Sequence, residues 1–389
     1  MPITARLGLF YVAIFIGTGV TGPYIGAWFN AHGLSGKEIG VILAAPGMAR
    51  VFTGPMLAVW ADGFRLRRTP MIILGAAVTL LYVAFAFSHG FWAWAALWFV
   101  SQSLFGALSP LADVIALRRA ARDGFNYGFP RGIGSVGFVF ANIAMGIILT
   151  LTAPDAVVVW MTAAAAAVVI GGRWLLPPDP VHEDGEIAHR TDRWRGLGDL
   201  LRDPAFMLAM VSAGLVQASH GFYYGFSVLS WKAQGLPPSL SGTLWGVGVG
   251  TEVLFFWFGE GFRRAIGPER LLMLGAAGAV VRWTCLAFSP PLAWLFPLQM
   301  LHALTYCATF MASLRLIERL TPAKSASAAQ SLNSVFSGGL LSGLSSIASG
   351  ALFDAAGPGG YFAMAGLALA GLAGAIALPR VAAGRTAYA

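Results

Sequence analysis

The sequence predicts an all-α membrane protein with about twelve transmembrane helices, arranged as two pseudo-symmetric six-helix bundles. The composition, a series of long apolar runs and the placement of basic residues all indicate this class. Of 389 residues, 57% are hydrophobic and only 11% are charged, whereas an ordinary soluble domain carries roughly 25% charged residues. A core surrounded by water could not hide so much apolar surface, so lipid must solvate most of it.

The apolar runs have the length of membrane spans. A helix needs about 20 apolar residues to cross a hydrocarbon core of about 30 Å. The predicted helices cover residues 7–29, 39–61, 70–88, 92–117, 128–152, 155–176, 205–229, 240–259, 270–288, 292–314, 326–353 and 358–378. The first run is too long for the core of a signal peptide and no small-residue cleavage site follows it, so it is interpreted as the first transmembrane helix.

Basic residues fall almost entirely in alternate segments between the apolar runs. The segments on the opposite side contain only Lys37 and Lys232. By the positive-inside rule the arginine-rich side is cytoplasmic. This predicts that both termini are cytoplasmic, which requires an even number of spans. The net charge of +8 is then explained by membrane topology, and nucleic acid is not an expected partner.

The chain divides at a charged stretch near its midpoint. We predict an N-terminal half at 1–176, a flexible cytoplasmic linker at 177–203 and a C-terminal half at 204–389. The second helix of each half is followed by an acid, a Gly-Phe pair and a basic cluster: Asp62-Gly63-Phe64-Arg65-Leu66-Arg67-Arg68 and Glu260-Gly261-Phe262-Arg263-Arg264. This match indicates a duplication, which is typical of transporters whose substrate site lies between repeats.

Ionisable and polar side chains within the apolar runs are the candidate functional residues. A charge at the bilayer centre costs about 2.5–3.5 kcal/mol on insertion, so each one needs a role. The candidates are Arg50, Asp113, Arg131, Gln217, His220, Tyr223, Tyr224, Glu252, Arg282 and His302.

Two interpretations of these residues stay open. Pairs such as Asp113 and Arg131 could simply neutralise each other and hold helices together, and the aromatics near Tyr223 could form an interfacial belt. Alternatively, a buried carboxyl such as Glu252 could take up and release a proton. An arginine could then clamp a substrate carboxylate, because its fork matches two oxygens.

Several chemistries have no signature in the sequence. There is no phosphate-binding Gly-x-x-x-x-Gly-Lys-Ser/Thr loop, no His-Glu-x-x-His and no nucleophile elbow. The cysteines, Cys285 and Cys307, both lie in apolar runs and have no metal-ligand spacing. The sequence therefore predicts no enzyme, no cofactor and no metal site, and favours transport driven by an ion gradient. A non-transporting membrane receptor or scaffold is the alternative from another class.

The segment from Ala58 to Arg68 resembles the signature of the major facilitator superfamily, with Ala58 where that signature has glycine. That resemblance implies a cytoplasmic gating loop formed by Asp62, Arg65, Arg67 and Arg68. Further motifs resemble the phenylpropionate permease family over the whole chain, except that Ile133 stands where an aromatic residue is expected before Gly134. These motifs are Ala49-Arg50, Pro110-Leu111-x-Asp113, Tyr127-Gly128-x-x-Arg131, Gln217-x-x-His220, Tyr223-Tyr224, Leu244-Trp245-Gly246 leading to Glu252, Arg282-Trp283 and Leu301-His302.

The arrangement is also similar, more loosely, to the lactose-permease group of proton symporters, but Thr305 stands where that group has a proton-handling carboxylate. The resemblances imply a monomeric proton symporter of the bacterial inner membrane that works by alternating access. They imply an aromatic carboxylate substrate such as 3-phenylpropionate, with a sugar or nucleoside as the alternative. Glu252 or Asp113 would carry the proton, and one of Arg50, Arg131 and Arg282 would hold the carboxylate. His220, Gln217 and His302 would line the cavity.

Overall fold

The computed structural model describes residues 1–181, 197–322 and 325–386, and in these ranges the chain is almost entirely helical. The helices are α1 Ile3–Ala31, α2 Gly36–Asp62, α3 Arg68–Phe87, α4 Phe91–Asp123, α5 Gly128–Leu151, α6 Ala156–Trp174, α7 Leu197–Arg202, α8 Pro204–Ala218, α9 Gly221–Ala233, α10 Pro238–Phe258, α11 Glu260–Ile266, α12 Pro268–Ala287, α13 Leu292–Met300, α14 Thr309–Leu320, α15 Ala326–Asn333, α16 Ser342–Ala356 and α17 Tyr361–Thr386. Two π-helical segments, Ala303–Ala308 and Ser334–Leu341, and a 3₁₀ turn, Gly357–Gly360, join some of them.

The predicted transmembrane runs coincide with these helices, which confirms the all-α membrane fold. Within the described residues, ten helical stretches are long and apolar enough to cross a membrane. The last of them, Ala328–Ala383, covers the final predicted span and all but the first two residues of the one before it, and the 3₁₀ turn divides it. The eighth predicted span is α10, which is not among the ten stretches because glycine, serine and Glu252 lower its mean hydropathy.

The described residues form two compact units, one of which comprises residues 1–181 together with Trp231–Gly246. In this unit α1 packs along α5 and α6, while α3 packs against α4 and α6. Glycine allows the close approach of α1 and α5: a Cβ on Gly19 would lie 2.7 Å from the Phe138 carbonyl oxygen. Small residues at such positions are typical of helix contacts in membranes.

The second unit contains residues 197–230 and the described chain from Val247 onward. Its centre is α12, which packs against α14 and α17, while α8 packs against α14 and α17. Phe206, Leu272 and Leu316 are fully buried in its core. The helix α10 contributes to both units, with its residues up to Gly246 in the first and those from Val247 in the second. The division into halves around residues 177–203 stays a prediction.

The start of the predicted linker is attached to the first unit. The backbone of Leu66 pairs with that of Pro180, and the Arg67 amide donates to the Asp179 carbonyl at 2.9 Å. The Arg119 guanidinium forms a two-point ion pair with the Asp179 carboxylate. Residues 182–196 of the predicted linker lie outside the described residues. We call the segment 177–181 the linker strap, because it crosses the loop between α2 and α3.

Candidate functional site

The second unit contains a buried polar cluster centred on Arg282 of α12. Its guanidinium donates from Nη1 to His302 Nδ1 at 2.8 Å and to Thr305 Oγ1 at 3.1 Å, and from Nη2 to Gln299 Oε1 at 2.7 Å. Arg282 is 0% exposed. We call these residues, together with Glu252 and His220, the Arg282 cluster.

Glu252 of α10 contacts this cluster through His302. Its Oε1 atom lies 2.7 Å from His302 Nε2, within ion-pair distance, although the pair does not have the angles of a hydrogen bond. The imidazole therefore bridges the guanidinium of Arg282 and the carboxylate of Glu252. The sequence predicted these three residues as site residues, and the fold brings them together.

The contacts define the protonation of His302. A guanidinium can only donate, so Nδ1 of His302 must be an acceptor and the ring proton must be on Nε2, facing Glu252. Adding a second proton at Nδ1 would place two donors against each other. As long as Arg282 keeps this contact, Glu252 is the member of the pair that can accept a proton without rearrangement.

His220 joins the cluster through Thr305. Its Nδ1 faces the carbonyl oxygens of Val216 and Gln217 at 3.1 and 3.2 Å, and its Nε2 lies 3.1 Å from Thr305 Oγ1. Carbonyl oxygens only accept, so Nδ1 carries the proton and Nε2 accepts from the threonine hydroxyl. A directed chain of donors therefore runs from Arg282 through Thr305 to His220.

Irregular backbone positions these side chains. The seventh predicted span is interrupted at Ser219 and His220, between α8 and α9. There the side chains of both residues bond to the carbonyl oxygen of Val216, so they compete with the helical hydrogen bonds. His302 directly precedes the π-helical segment Ala303–Ala308. Single-turn π-helices are frequent at functional sites.

Gln217 stabilises the π-helical segment through its side chain. Its Nε2 donates to the Tyr306 carbonyl oxygen at 3.1 Å. Its Oε1 is buried and has no hydrogen-bond partner among the described residues, and the same holds for Gln299 Nε2 and Arg282 Nε. The cluster thus keeps unused hydrogen-bonding capacity next to its charged members.

Aromatic rings surround the Arg282 guanidinium. Its Cζ lies 4.7 Å from the ring centroids of both Tyr223 and Trp283. The Trp283 ring stacks on Tyr361 and donates from Nε1 to Ser219 Oγ at 2.8 Å. These rings compensate a buried cation through their negative faces. Tyr224, the remaining aromatic candidate, packs within 6.5 Å of the His220, His302 and Tyr306 rings.

Burial separates the members of the Arg282 cluster. Gln299, His220 and Arg282 are 0% exposed, whereas the side chain of Glu252 is 14% exposed. In this conformation Glu252 is therefore the least buried member of the cluster, although its Oε1 atom is buried against His302. The predicted lining roles of His220 and His302 are untested, and both rings are buried here.

The first unit contains a separate cluster around Asp113 of α4. Its Oδ1 accepts from the hydroxyl groups of Tyr11 at 2.6 Å and Tyr127 at 2.8 Å, and Arg131 Nε lies 3.6 Å away. The Arg131 guanidinium also lies over the Phe15 ring, 4.2 Å from its centroid. The predicted Asp113–Arg131 pair therefore forms, with two tyrosines that share the same carboxylate oxygen.

Arg50 of α2 is exposed and lies against a glycine of α4. Its Nη2 donates to the Gly106 carbonyl oxygen at 2.9 Å, and no described acidic residue forms an ion pair with it. A Cβ on Gly106 would lie 2.8 Å from this nitrogen, so glycine leaves room for the guanidinium. Of the three candidate arginines, Arg50 alone is exposed, whereas Arg131 is half-buried beside Asp113 and Arg282 is fully buried.

The predicted gating loop lies under the linker strap. Asp62 ends α2 and Arg68 begins α3. Between them, the Arg65 carbonyl accepts from the Val181 amide at 3.1 Å, and the Arg67 guanidinium contacts the Val181 carbonyl. The gating role itself remains a prediction.

Sequence reasoning missed several members of both clusters. Tyr11 and Gln299 carry no charge, so they do not stand out within an apolar run. Thr305 was noted only as the place where a carboxylate is missing. A search for polar residues one helical turn from His302 would have found Gln299 and Thr305, because residues three or four apart share a helix face.

Comparisons with known proteins agree with this architecture. Residues 4–364 match the model of the MFS_1 like family. The chain is 29% identical over 370 residues to the "Probable 3-phenylpropionic acid transporter" of Escherichia coli (strain K12), covering 94% of this chain and 95% of that protein. It is 27% identical over 345 residues to the "Maltose permease" of Geobacillus stearothermophilus, covering 85% and 83%.

Solved structures show the same fold. The nucleoside transporter NupG superposes with a TM-score of 0.85 at 16% identity, covering 97% of this chain and 99% of that one. An inward-facing bacterial homologue of the human lysosomal transporter Spinster superposes with a TM-score of 0.72 at 14% identity, covering 97% and 96%.

Proposed function

We propose that this chain, which belongs to the MFS_1 like family of the major facilitator superfamily, is a proton-coupled symporter of a small aromatic carboxylate such as 3-phenylpropionate. It works by alternating access, as a monomer in the bacterial inner membrane with both termini in the cytoplasm. The observation that carries this proposal is the contact of the partly exposed Glu252 side chain with a histidine whose other nitrogen is occupied by a buried arginine.

Glu252 is the proposed proton carrier. The Arg282 contact keeps His302 from accepting a second proton, so the incoming proton goes to the carboxylate. Neutral Glu252 leaves Arg282 as a buried charge without its anionic partner, which is costly. Proton uptake therefore favours a rearrangement of the cluster, and binding one carboxylate anion restores the net charge of the loaded transporter.

Arg50 is the proposed clamp for the substrate carboxylate. Arg282 is committed to three acceptors and is fully buried, and Arg131 is paired with Asp113. Arg50 is exposed and donates to one backbone carbonyl, which leaves its fork for two carboxylate oxygens. The aromatic acid is also the substrate class named for the Escherichia coli relative.

A sugar or nucleoside is the second candidate substrate, because one relative is a maltose permease and one fold neighbour is a nucleoside transporter. Hydroxyl groups of such a substrate would bond to carboxylates such as Asp113, and no cationic clamp would be needed. The charge of the substrate therefore discriminates between the two candidates, because only the aromatic acid requires Arg50 as a cationic clamp.

The test is uptake of labelled 3-phenylpropionate into proteoliposomes under an imposed proton gradient. Glu252→Gln is expected to abolish accumulation and to retain exchange of internal for external substrate, since glutamine resembles the protonated carboxyl. Arg50→Gln is expected to raise the KM by about 10- to 150-fold, the equivalent of one charge-assisted bond. The exposed Arg122 provides the matched control, and Arg122→Gln should transport normally.

Other outcomes redirect the proposal. Accumulation that survives Glu252→Gln but not Asp113→Asn would assign the proton to Asp113. No uptake of the acid by the native protein, together with uptake of maltose or uridine, would overturn the aromatic-acid assignment. No gradient-driven uptake of any of these solutes would favour the non-transporting receptor.

A further inference from the structure

A basic pocket lies in the second unit, between α11, α12 and α14. Its volume is about 500 Å³. Its walls combine four arginines with a small apolar floor, and they are formed by Arg263, Arg264, Gly267, Pro268, Leu271, Met311, Arg315, Glu318 and Arg319. None of these residues belongs to the Arg282 cluster or to the Asp113 cluster.

Local backbone geometry creates the pocket. Gly267 alone separates α11 from α12 and has a φ of +80°, a conformation that favours glycine. The sharp turn places Arg263 and Arg264 beside the start of α12. Across the pocket, Met311, Arg315, Glu318 and Arg319 follow the spacing of one face of α14.

The arginines divide into one structural and three available side chains. Arg263 is 10% exposed in its side chain and donates to the Phe255 carbonyl oxygen and to Glu260, both at 2.6 Å. The side chains of Arg264, Arg315 and Arg319 are 75%, 57% and 50% exposed.

The acidic neighbours do not use up these guanidinium groups. Arg264 contacts Glu260, Arg315 lies 3.8 Å from the same carboxylate, and Arg319 contacts Glu269. Each of the three exposed arginines therefore keeps N–H donors for an added anion, since a guanidinium has five.

We propose that this pocket binds the phosphate of an anionic phospholipid headgroup from the cytoplasmic leaflet. A phosphodiester has several acceptor oxygens, which suits convergent guanidinium groups. A basic pocket between transmembrane helices on the cytoplasmic side is the setting in which such headgroups are bound. The positive-inside rule puts this arginine-rich side in the cytoplasm.

The apolar surroundings distinguish a lipid from free phosphate. Leu271 and Met311 form part of the pocket wall. Next to Arg263 along the chain, Trp257, Phe258 and Phe262 are 57%, 78% and 46% exposed. Exposed aromatics are typical of the headgroup level of a bilayer, which is the depth at which a lipid places its phosphate and the start of its acyl chains.

Substituting Glu318 is expected to tighten lipid binding, whereas substituting the arginines is expected to weaken it. Glu318 is exposed and lines the pocket among the arginines, so its carboxylate repels the bound phosphate. Glu318→Gln should tighten binding of dioleoyl phosphatidylglycerol about three- to fivefold. The double variant Arg315→Gln, Arg319→Gln should weaken it about 25-fold, because each basic residue contributes about fivefold.

The experiment measures lipid binding to the full chain in detergent by native mass spectrometry. Dioleoyl phosphatidylglycerol is titrated against dioleoyl phosphatidylcholine, with Arg122→Gln as the control that removes one cytoplasmic-side charge elsewhere. The expected result is a preference for phosphatidylglycerol that is lost in the double variant, increased in Glu318→Gln and unchanged in Arg122→Gln.

Three results would overturn the proposal. These are an equal preference in the native protein and the double variant, weaker or unchanged binding in Glu318→Gln, and an equal loss in Arg122→Gln. Displacement of the lipid by millimolar inorganic phosphate would instead assign the site to a free anion. Because Glu318→Gln removes an exposed side chain and predicts a gain, the test stands even if the double variant does not fold.

Discussion

Substituting Gly106 tests the placement of Arg50 without removing the arginine itself. A Cβ at this position would lie 2.8 Å from Arg50 Nη2, 3.5 Å from Cζ and 3.6 Å from Nε. Ordinary van der Waals contact begins at about 3.5 Å, so Gly106→Ala must displace the end of the guanidinium by roughly 0.7 Å. The side chain is flexible and exposed, and therefore it can move without disturbing the helices.

The expected effects on stability and on binding have opposite signs. Replacing a glycine in a helix interior by alanine gains about 0.8–1 kcal/mol of helix propensity. The displaced Arg50 guanidinium is no longer aligned with the substrate carboxylate, which weakens their charge-assisted interaction by about 1–2 kcal/mol of binding free energy. Gly106→Ala should therefore keep or raise the Tm and should raise the KM for 3-phenylpropionate about 5- to 30-fold.

The assay pairs thermal unfolding of the purified protein with uptake into proteoliposomes. Gly54 on α2 provides a matched control, since a Cβ there would only contact Arg50 Cγ at 3.9 Å. Gly54→Ala should show the same gain in Tm with an unchanged KM. An unchanged KM in Gly106→Ala, with a normal response to Arg50→Gln, would refute the geometric reasoning. A fall in Tm of several degrees would show that the helices cannot accommodate the methyl group.

Three further outcomes are expected. Gly242→Ala should lower the Tm, because its Cβ would lie 2.4 Å from the Asn142 carbonyl oxygen and overpacking costs about 1–3 kcal/mol, more than the gain in helix propensity. Arg119→Gln should accelerate limited proteolysis of the linker strap about 10- to 100-fold, because it removes the ion pair with Asp179. The Tm difference between the native protein and Glu260→Gln should vanish in acid, because neighbouring guanidinium groups hold the pKa of Glu260 below its ordinary value of 4.5.

The sign of the Glu260 effect follows from linkage. A carboxyl whose pKa is lower in the folded state than in the unfolded state stabilises the fold. Its contribution to the free energy of unfolding is complete at pH values above the unfolded pKa and is lost as the pH falls through the folded pKa. A Tm difference that grew on acidification would contradict this.

The other two predictions have controls on the same surfaces. Gly250→Ala, on the same helix as Gly242 but with no atom within 4 Å of its Cβ, should keep or raise the Tm. Arg122→Gln should leave proteolysis of the strap unchanged. The same Tm in Gly242→Ala and Gly250→Ala would contradict the first prediction. The same rate of strap proteolysis in Arg119→Gln and Arg122→Gln would contradict the second.

Part of the candidate site could be predicted from the sequence. The charges of Asp113, Arg131, Glu252 and Arg282 were recognisable because a charge is expensive in a lipid-solvated helix. Their partners Tyr11, Gln299 and Thr305 were not, since neutral polar residues cost less than charges on insertion and also take part in ordinary contacts between membrane helices. The roles of the three candidate arginines also could not be separated by sequence, because burial and committed donors distinguish Arg282 from Arg50.

The sequence by itself determined that most of this protein is solvated by lipid, that its apolar segments are helical, roughly where they lie along the chain, and which sidedness is expected. Those properties depend on local composition, since each span must satisfy its own backbone and present apolar side chains to lipid. Only the tertiary structure decided which nitrogen of His302 carries the proton, that Arg282 is enclosed by Tyr223 and Trp283, and that α11, α12 and α14 enclose a basic pocket. These features depend on atoms far apart in the chain, and their distances are set by helix packing, which no local pattern encodes.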